Sequence, residues 1–333
     1  VAEESALAAT TLTESAGLPA LAARAWGQLV FVTGLQPGRA AEAARLARHA
    51  FAFLEAAGGD AATEARLLSL VGKLALLQGD HERAAGAFER EKALRSRAGV
   101  EADPALAEVH ADLARARLAG GRERKAEAID HAAQAVRIGE RVLGAAHPWV
   151  GRWLLVLGEA RLAAGRDDEA LQAFARASTV FGQNEGARWR APWALIGQAR
   201  ALRGADQAQE ALERLAQAQS IARAYPGRSP PLEAELPLAR GEVLLRGRHF
   251  EQALESFERA RALAAEVAPA RLAAAGLGIG RVHLEAGDPA RAVEPLEAAR
   301  RQGIEAGAAE LAGIELALAR ALELSGASMA GAR

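Results

Sequence analysis

An all-α fold is predicted, a right-handed superhelical solenoid of about seven stacked antiparallel helix pairs, and three observations predict it. Glycines placed to end a helix recur every 39 to 45 residues, at Gly34, Gly79, Gly121, Gly165, Gly204, Gly247, Gly287 and Gly326. A small residue stands about seven positions before most of them: Gly27, Gly72, Ala114, Gly158, Gly197, Gly280 and Ala319. After the glycine comes an alanine and then a bulky residue, as in Ala84 with Phe88, Ala170 with Phe174, Ala253 with Phe257 and Ala292 with Leu296. Small residues let two helices approach closely, and the large one fills the space between them. A helix pair that cannot bury its own apolar face stacks on the next, which is what a sustained period means.

The elements follow in order. Residues 1–16 read as the second helix of a pair whose first half lies upstream or is lost. The chain opens at Val1, without methionine and in mid-repeat, so it is expected to be part of a longer protein. Leu18–Val32 is a helix with Trp26 and Val30 on its packed face, then a Gly34–Gly38 connection containing Pro37, then an alanine-rich helix over Ala40–Ala57. Residues 58–91 are a clean repeat with Thr63 as a candidate cap, and a loop over 99–104 ends in Pro104. Leu106–Ala119 and Glu123–Val142 make the next pair. In the central pair, Pro148 stands where its missing N–H costs nothing, and Trp153, Leu154, Leu157 and Leu162 recur at helical spacing. Asp167, Asp168 and Glu169 then place acid at a helix start, where the macrodipole favours it. Residues 182–186 are polar and loop-like. Trp193–Leu202 and Gln207–Ala224 form a fifth pair, and YPGRSPPL (225–232) is the strongest break, its three prolines being incompatible with helix. Leu236–Val267 and Ala270–Gln302 supply two more pairs. Glu310–Leu324 closes the stack with a polar outer face before a frayed tail, Ser325–Arg333. The organisation expected is repeats over 1–224, a proline-rich break over 225–232, and repeats with a capping helix over 233–333.

Gly158, Gly165, Ala170, Phe174 and Ala177 resemble, in order, the small residue, turn glycine, alanine, aromatic and alanine of the tetratricopeptide repeat. The segment RIGERVLGAAHP (137–148) is similar to the longer, kinesin-light-chain-like variety found in many bacterial proteins. HEAT and armadillo units share the period, but the ordered glycine-to-alanine motif fits them poorly. The resemblance covers nearly the whole chain and implies a hollow that holds a protein or peptide. Residues 25–68 also resemble the start of the repeat array in bacterial serine/threonine protein kinases, notably those of myxobacteria. The matching pieces are Trp26–Val32, Arg48–His49–Ala50, and Gly58–Gly59–Asp60 before Glu64–Ala65. That resemblance implies a parent with a kinase domain upstream, of which this chain is the sensory or docking part. The chain itself has no glycine-rich loop before a lysine strand, no HRD and no DFG, so these residues do not transfer phosphate.

Composition narrows the function further. Forty-one lysines and arginines against 42 acids leave a net charge of −1, which argues against a dedicated nucleic-acid binder. There is no cysteine, hence no disulfide framework and no thiolate metal site, as suits a cytoplasmic protein. No run of 18 apolar residues reads as a membrane span, and no signal peptide opens the chain. GLGIGR (276–281) has the glycines of a nucleotide loop but lacks the strand and βαβ context, and Gly280 falls on a packing position. His49, His81, His110, His131, His147, His249 and His283 include no HExxH and no i, i+4 pair, so structural roles are expected and no metal or cofactor is called for. Glu3–Glu4 and Asp167–Asp168–Glu169 begin helices, which accounts for them without a catalytic pair.

What remains is the groove. The position after each small residue, and those four and seven earlier, share the stripe turned to the hollow. Along it lie Gln28, Lys73, Arg115, Glu159, Gln198, Arg281 and Arg320, with Arg66, Ser69, Arg152, Leu76 and Leu162 as neighbours. The partner-binding candidates are accordingly Arg66, Ser69, Lys73, Arg115, Arg152, Glu159, Gln198 and Arg281. A mainly basic stripe suits a peptide or protein segment with acidic and apolar side chains, although exposed arginines on an arginine-rich array give the same composition. Relatives that clamp peptides place asparagines here, where this chain has Ser69, Leu70, Leu155 and Val156, so that clamp is not expected. Trp149, Trp153, Trp189 and Trp193 form two i, i+4 pairs. Trp149 and Trp193 are either aromatic anchors for a partner or packing between repeats. Three functions stay open: a protein-interaction scaffold in a larger signalling protein; a ligand sensor similar to the helical region of maltose-type transcription activators; and an accessory part of an enzyme whose catalytic residues lie elsewhere. The sequence fixes no oligomeric state.

Overall fold

Most of the helices that begin a pair open on proline, where the absent N–H belongs to the unbonded first turn in any case. The computed structural model describes residues 2–36, 38–97, 103–118, 122–202, 204, 207–267, 269–306 and 310–326, and every regular element among them is helical. They fall into two compact units, residues 1–164 and 165–333.

The first unit contains α1 (Ala2–Ser15), then the pairs α2 (Pro19–Gly34) with α3 (Ala40–Ala56), α4 (Ala61–Leu77) with α5 (His81–Arg97), and α6 (Pro104–Leu118) with α7 (Arg122–Leu143), and finally α8 (Pro148–Ala163). The second begins with α9 (Asp167–Gly182) and a 3-10 turn over Glu185–Arg190. Its pairs are α10 (Ala191–Ala201) with α11 (Ala208–Ala224), α12 (Pro230–Arg246) with α13 (Phe250–Val267), and α14 (Pro269–Glu285) with α15 (Pro289–Ala306), followed by α16 (Leu311–Leu324). Each unit is a stack of antiparallel helix pairs, the architecture the glycine period predicts.

The seams are built as the sequence pattern requires. A Cβ placed on Gly72 would lie 2.5 Å from the ring of Phe88, and one on Gly197 would lie 2.5 Å from Phe174. Gly280 would collide with Leu296. Phe257 is gripped from both sides, by Gly241 of α12 and Gly278 of α14. Trp153 packs its buried ring on Gly139 in the same way. The three glycines of GLGIGR therefore sit inside α14 as contact points for Ala299, Phe257 and Leu296, and no phosphate loop exists there.

Turn chemistry departs from the sequence reading in instructive places. Gly79 and Gly287 take φ values of 74° and 85°, and the residue after each donates back to a carbonyl five positions earlier, Asp80 to Ala75 and Asp288 to His283. In the α12–α13 turn the left-handed residue is Arg248, at φ 59°, not Gly247, while His249 donates to the Leu244 carbonyl as the motif demands. Gly34 ends α2 against Leu74, and the left-handed glycine is Gly38. Asp60, not Thr63, caps α4: its carboxylate accepts from the backbone N–H of Ala62 and Thr63 and from the Thr63 hydroxyl. The loop expected at 182–186 runs into the 3-10 turn.

Helix α12 starts at Pro230, so two of the three prolines of the expected break lie in its first turn. One core runs from α10 through Leu215 and Ala218 of α11 to Leu232, Ala239 and Val243 of α12. Packing is thus continuous past 225–229. Helix α16 exposes Leu316 at 74 %, in a groove it shares with Leu277 and Leu284 of α14. Pro37, Gly121, the 99–102 part of the expected loop and the tail beyond Gly326 lie outside the described residues.

Candidate functional site

Within each unit, the first helices of successive pairs approach one another: α2, α4, α6 and α8 in one, and α10, α12, α14 and α16 in the other. The second helices make no comparable approach among the described residues. The first helices are therefore the more closely spaced layer of each stack, and their outward stripe forms its inner face.

On the first unit this stripe is an ion network. Lys73 of α4 lies 3.5 Å from Asp112 and 4.0 Å from Glu108, both on α6. Arg115 bonds Asp112 at 2.6 Å, and Arg152 of α8 lies 3.6 Å from Glu108. Glu108 also accepts from the indole N–H of the buried Trp153 at 2.8 Å. The Arg152 guanidinium sits 4.4 Å above the ring of Trp149, which is 43 % exposed, so cation and ring offer one amphipathic plate. Behind the stripe, Glu91 of α5 is 1 % exposed and bonded to Arg95 at 2.9 Å. Burial pushes its carboxyl up to about 7, against the pull of Arg95 and Lys73. Burial also raises Asp112, with Lys73 and Arg115 opposing.

The second unit repeats the logic with different residues. Glu235 of α12 is fully buried and held between Arg200 of α10, at 2.7 Å, and Arg271 of α14, at 2.6 Å. Arg200 also forms a fork with Glu242, at 2.8 and 3.1 Å. Burial works against the Arg200 charge, but Glu242 and Glu235 overcome it, and its pKa is raised. The Arg246 guanidinium donates to the carbonyls of Ala199 and Arg200 at 3.3 Å. These groups border a cleft of about 440 Å³ with Arg281 and Glu310 on its edge and Leu238, Leu245, Leu277 and Phe257 beneath. Glu108 and Glu235 thus each hold cations from the first helices before and after their own.

The predicted residues divide accordingly. Lys73, Arg115 and Arg152 come together on the first unit, but as partners of Asp112 and Glu108, acids the sequence stripe did not include. Arg66 is exposed and Ser69 half-buried on the same helix as Lys73. Glu159 is exposed on α8. Gln198 is buried and its amide donates to the Phe174 carbonyl at 3.4 Å, which places it in the helix seam and not on an open face. Arg281 is exposed at the edge of the second cleft. Trp193 packs on the α10–α12 core, whereas Trp149 stays open. His110 and His131, 21 residues apart in sequence, meet Nδ1 to Nδ1 at 3.0 Å between α6 and α7. Burial, then the neighbouring His131, pushes His110 down to about 4. Among the described residues no three His, Asp or Glu side chains are grouped to hold a metal ion, and no helix is long and apolar enough to cross a membrane.

Residues 122–183 match the family model of the tetratricopeptide repeat. No curated protein matches the sequence. Among solved structures, BtubC (BKLC) from P. vanneervenii is similar at a TM-score of 0.61 and 18 % identity, over 69 % of this chain and 92 % of that one. RapI in its apo form aligns at 0.66 and 12 % identity, over 84 % and 98 %. A Rap protein complexed with Competence and Sporulation Factor aligns at 0.62 and 14 % identity, over 94 % and 86 %. At these identities the likeness is one of fold.

Proposed function

From the premise of a tetratricopeptide-type array of helix pairs, we propose that this chain is a non-catalytic scaffold that captures a partner protein through an acidic and apolar segment laid on its first-helix faces. The observation that carries this reading is the α10–α16 cleft, where Arg200, Arg246, Arg271 and Arg281 stand against Glu242 and Glu310 over an apolar floor. Because Glu235 and Glu242 already fix Arg200 and Arg271, a carboxylate entering the cleft meets guanidinium groups held in place, so less side-chain entropy is lost on binding. The apolar floor rewards a bulky side chain beside that carboxylate. The first unit has an aromatic contact point of its own in Trp149 with Arg152. A protein of the same fold in complex with Competence and Sporulation Factor supports the capture of a partner by such an array. The likeness of residues 25–68 to kinase-borne arrays supports a place in the regulatory part of a larger bacterial signalling protein, acting in the cytoplasm.

The test is a peptide array of acidic and apolar segments, with affinities of the selected peptides read by fluorescence polarisation. Arg281→Glu and Trp149→Ala should each weaken at least one selected peptide by tenfold or more, about 1.4 kcal/mol. If both variants bind every selected peptide as the wild type does, the first-helix faces are not the capture surface. The reading frame upstream of Val1 is expected to encode a kinase catalytic domain, and a frame without one removes that parentage.

A further inference from the structure

We propose that the second unit carries another site, on the face opposite the partner cleft, for a small organic anion with an apolar body. It lies between α11 and α13 and is floored by α12. The cleft encloses about 620 Å³, within the usual size of small-molecule sites and larger than the inner cleft of about 440 Å³. Its floor is apolar: Leu212 and Leu215 from α11, Leu236 and Pro237 from α12, Leu263 from α13.

Three arginines line it, one from each helix: Arg223 of α11, Arg240 of α12 and Arg259 of α13. None of them is in an ion pair among the described residues, although Glu233 and Glu255 line the same cleft. The outer cleft is therefore net positive, and its guanidinium donors are uncommitted, which is what an anionic head group over an apolar body requires.

The stretch YPGRSPPL, which partner capture leaves unexplained, shapes this cleft. Pro226 forms part of its wall, Pro230 and Pro231 fix the start of α12, and Pro237 lies in the floor. Pro237 has no N–H, so the carbonyl of Glu233 lacks its usual helix donor. Proline-fixed walls lose little entropy when a ligand is bound.

The probe is 8-anilinonaphthalene-1-sulfonate, read by fluorescence on the whole chain, with decanoate as competitor and neutral N-phenyl-1-naphthylamine as the charge control. One saturable site per chain is expected, emptied by decanoate. Arg240→Glu with Arg259→Glu should weaken the sulfonate at least tenfold while changing the neutral amine little. Ala216→Trp, which fills the cleft from an exposed position, should abolish both. Arg281→Glu on the inner face should leave both unchanged. Far-UV circular dichroism melts verify that each variant is folded. Binding that does not saturate, or that survives both the charge reversal and Ala216→Trp, overturns the proposal. So does displacement by an amphipathic helical peptide but not by decanoate, which would make the cleft a protein-docking groove.

Discussion

Phe257 offers the sharpest test of how these helices are held together. Its ring is 2 % exposed and lies between two glycines of different helices, Gly241 and Gly278. A Cβ on Gly278 would stand 2.5 Å from ring carbons, and the backbone of Gly241 lies so near the ring that a Cβ there would meet it at 2.7 Å, which leaves little room to retreat. In the wild type, Gly278→Ala therefore overpacks the seam at a cost of about 1–3 kcal/mol. The gain in helix propensity offsets only about 1 kcal/mol of that. Phe257→Ala alone should cost about 3–5 kcal/mol, since glycine walls offer no side chain to collapse into the cavity. In that background the clash is gone, and Gly278→Ala should stabilise by about 1 kcal/mol from propensity alone. The effect of one methyl group thus reverses sign with the partner. Urea denaturation of the wild type, both single variants and the double variant measures it, with the m-value checked in each because stacked repeats can unfold in parts. An effect of Gly278→Ala with the same sign and size in both backgrounds would refute the account.

Glu235→Gln should destabilise the second unit by about 1.5–3 kcal/mol, because Arg271 loses its carboxylate and Arg200 keeps only Glu242; denaturation midpoints read the loss. Arg248→Gly should stabilise by up to about 1 kcal/mol in the same assay, since a left-handed φ strains any side chain, and the looser unfolded chain takes back part of the gain. The pH dependence has two opposed parts. Glu91, raised from 4.5 to about 7, contributes stability that is present below about pH 4.5 and lost as pH rises through about 7. Glu91→Gln should therefore flatten the melting temperature between those values and raise it at pH 8. His110, lowered from 6.5 to about 4, contributes stability present above pH 6.5 and lost as pH falls through about 4. His110→Gln should remove that acid-side loss, and an unchanged melting profile would show that the histidine pair does not matter.

The helix pairs and several residues of their seams were legible in the sequence, because a repeated unit states its packing many times over. Phe88 on Gly72 and Leu296 on Gly280 followed from spacing within one repeat, whereas Phe174, which the pattern set with Gly158, also packs on Gly197 of the next pair. The seam residue of α12 was left unassigned by the sequence pattern: seven before Gly247 stands Arg240, not a small residue, because the left-handed residue of that turn is Arg248, and seven before it is Gly241, which grips Phe257. The stripe of candidate contacts was legible as a face but not as chemistry: Lys73, Arg115 and Arg152 lie on it, yet Asp112 and Glu108 hold them.

The amino-acid sequence by itself determined the period, the helical class and the small-to-large contacts, because these depend on residues within one repeat or two. Tertiary structure alone decided which charges are spent on neighbours and which stay open. Glu235 meets Arg200 and Arg271 from helices 35 and 36 residues away on either side, and His110 meets His131 across a hairpin. No local pattern records such distances; the pairing depends on how far one helix is turned against the next, which only the packed stack fixes.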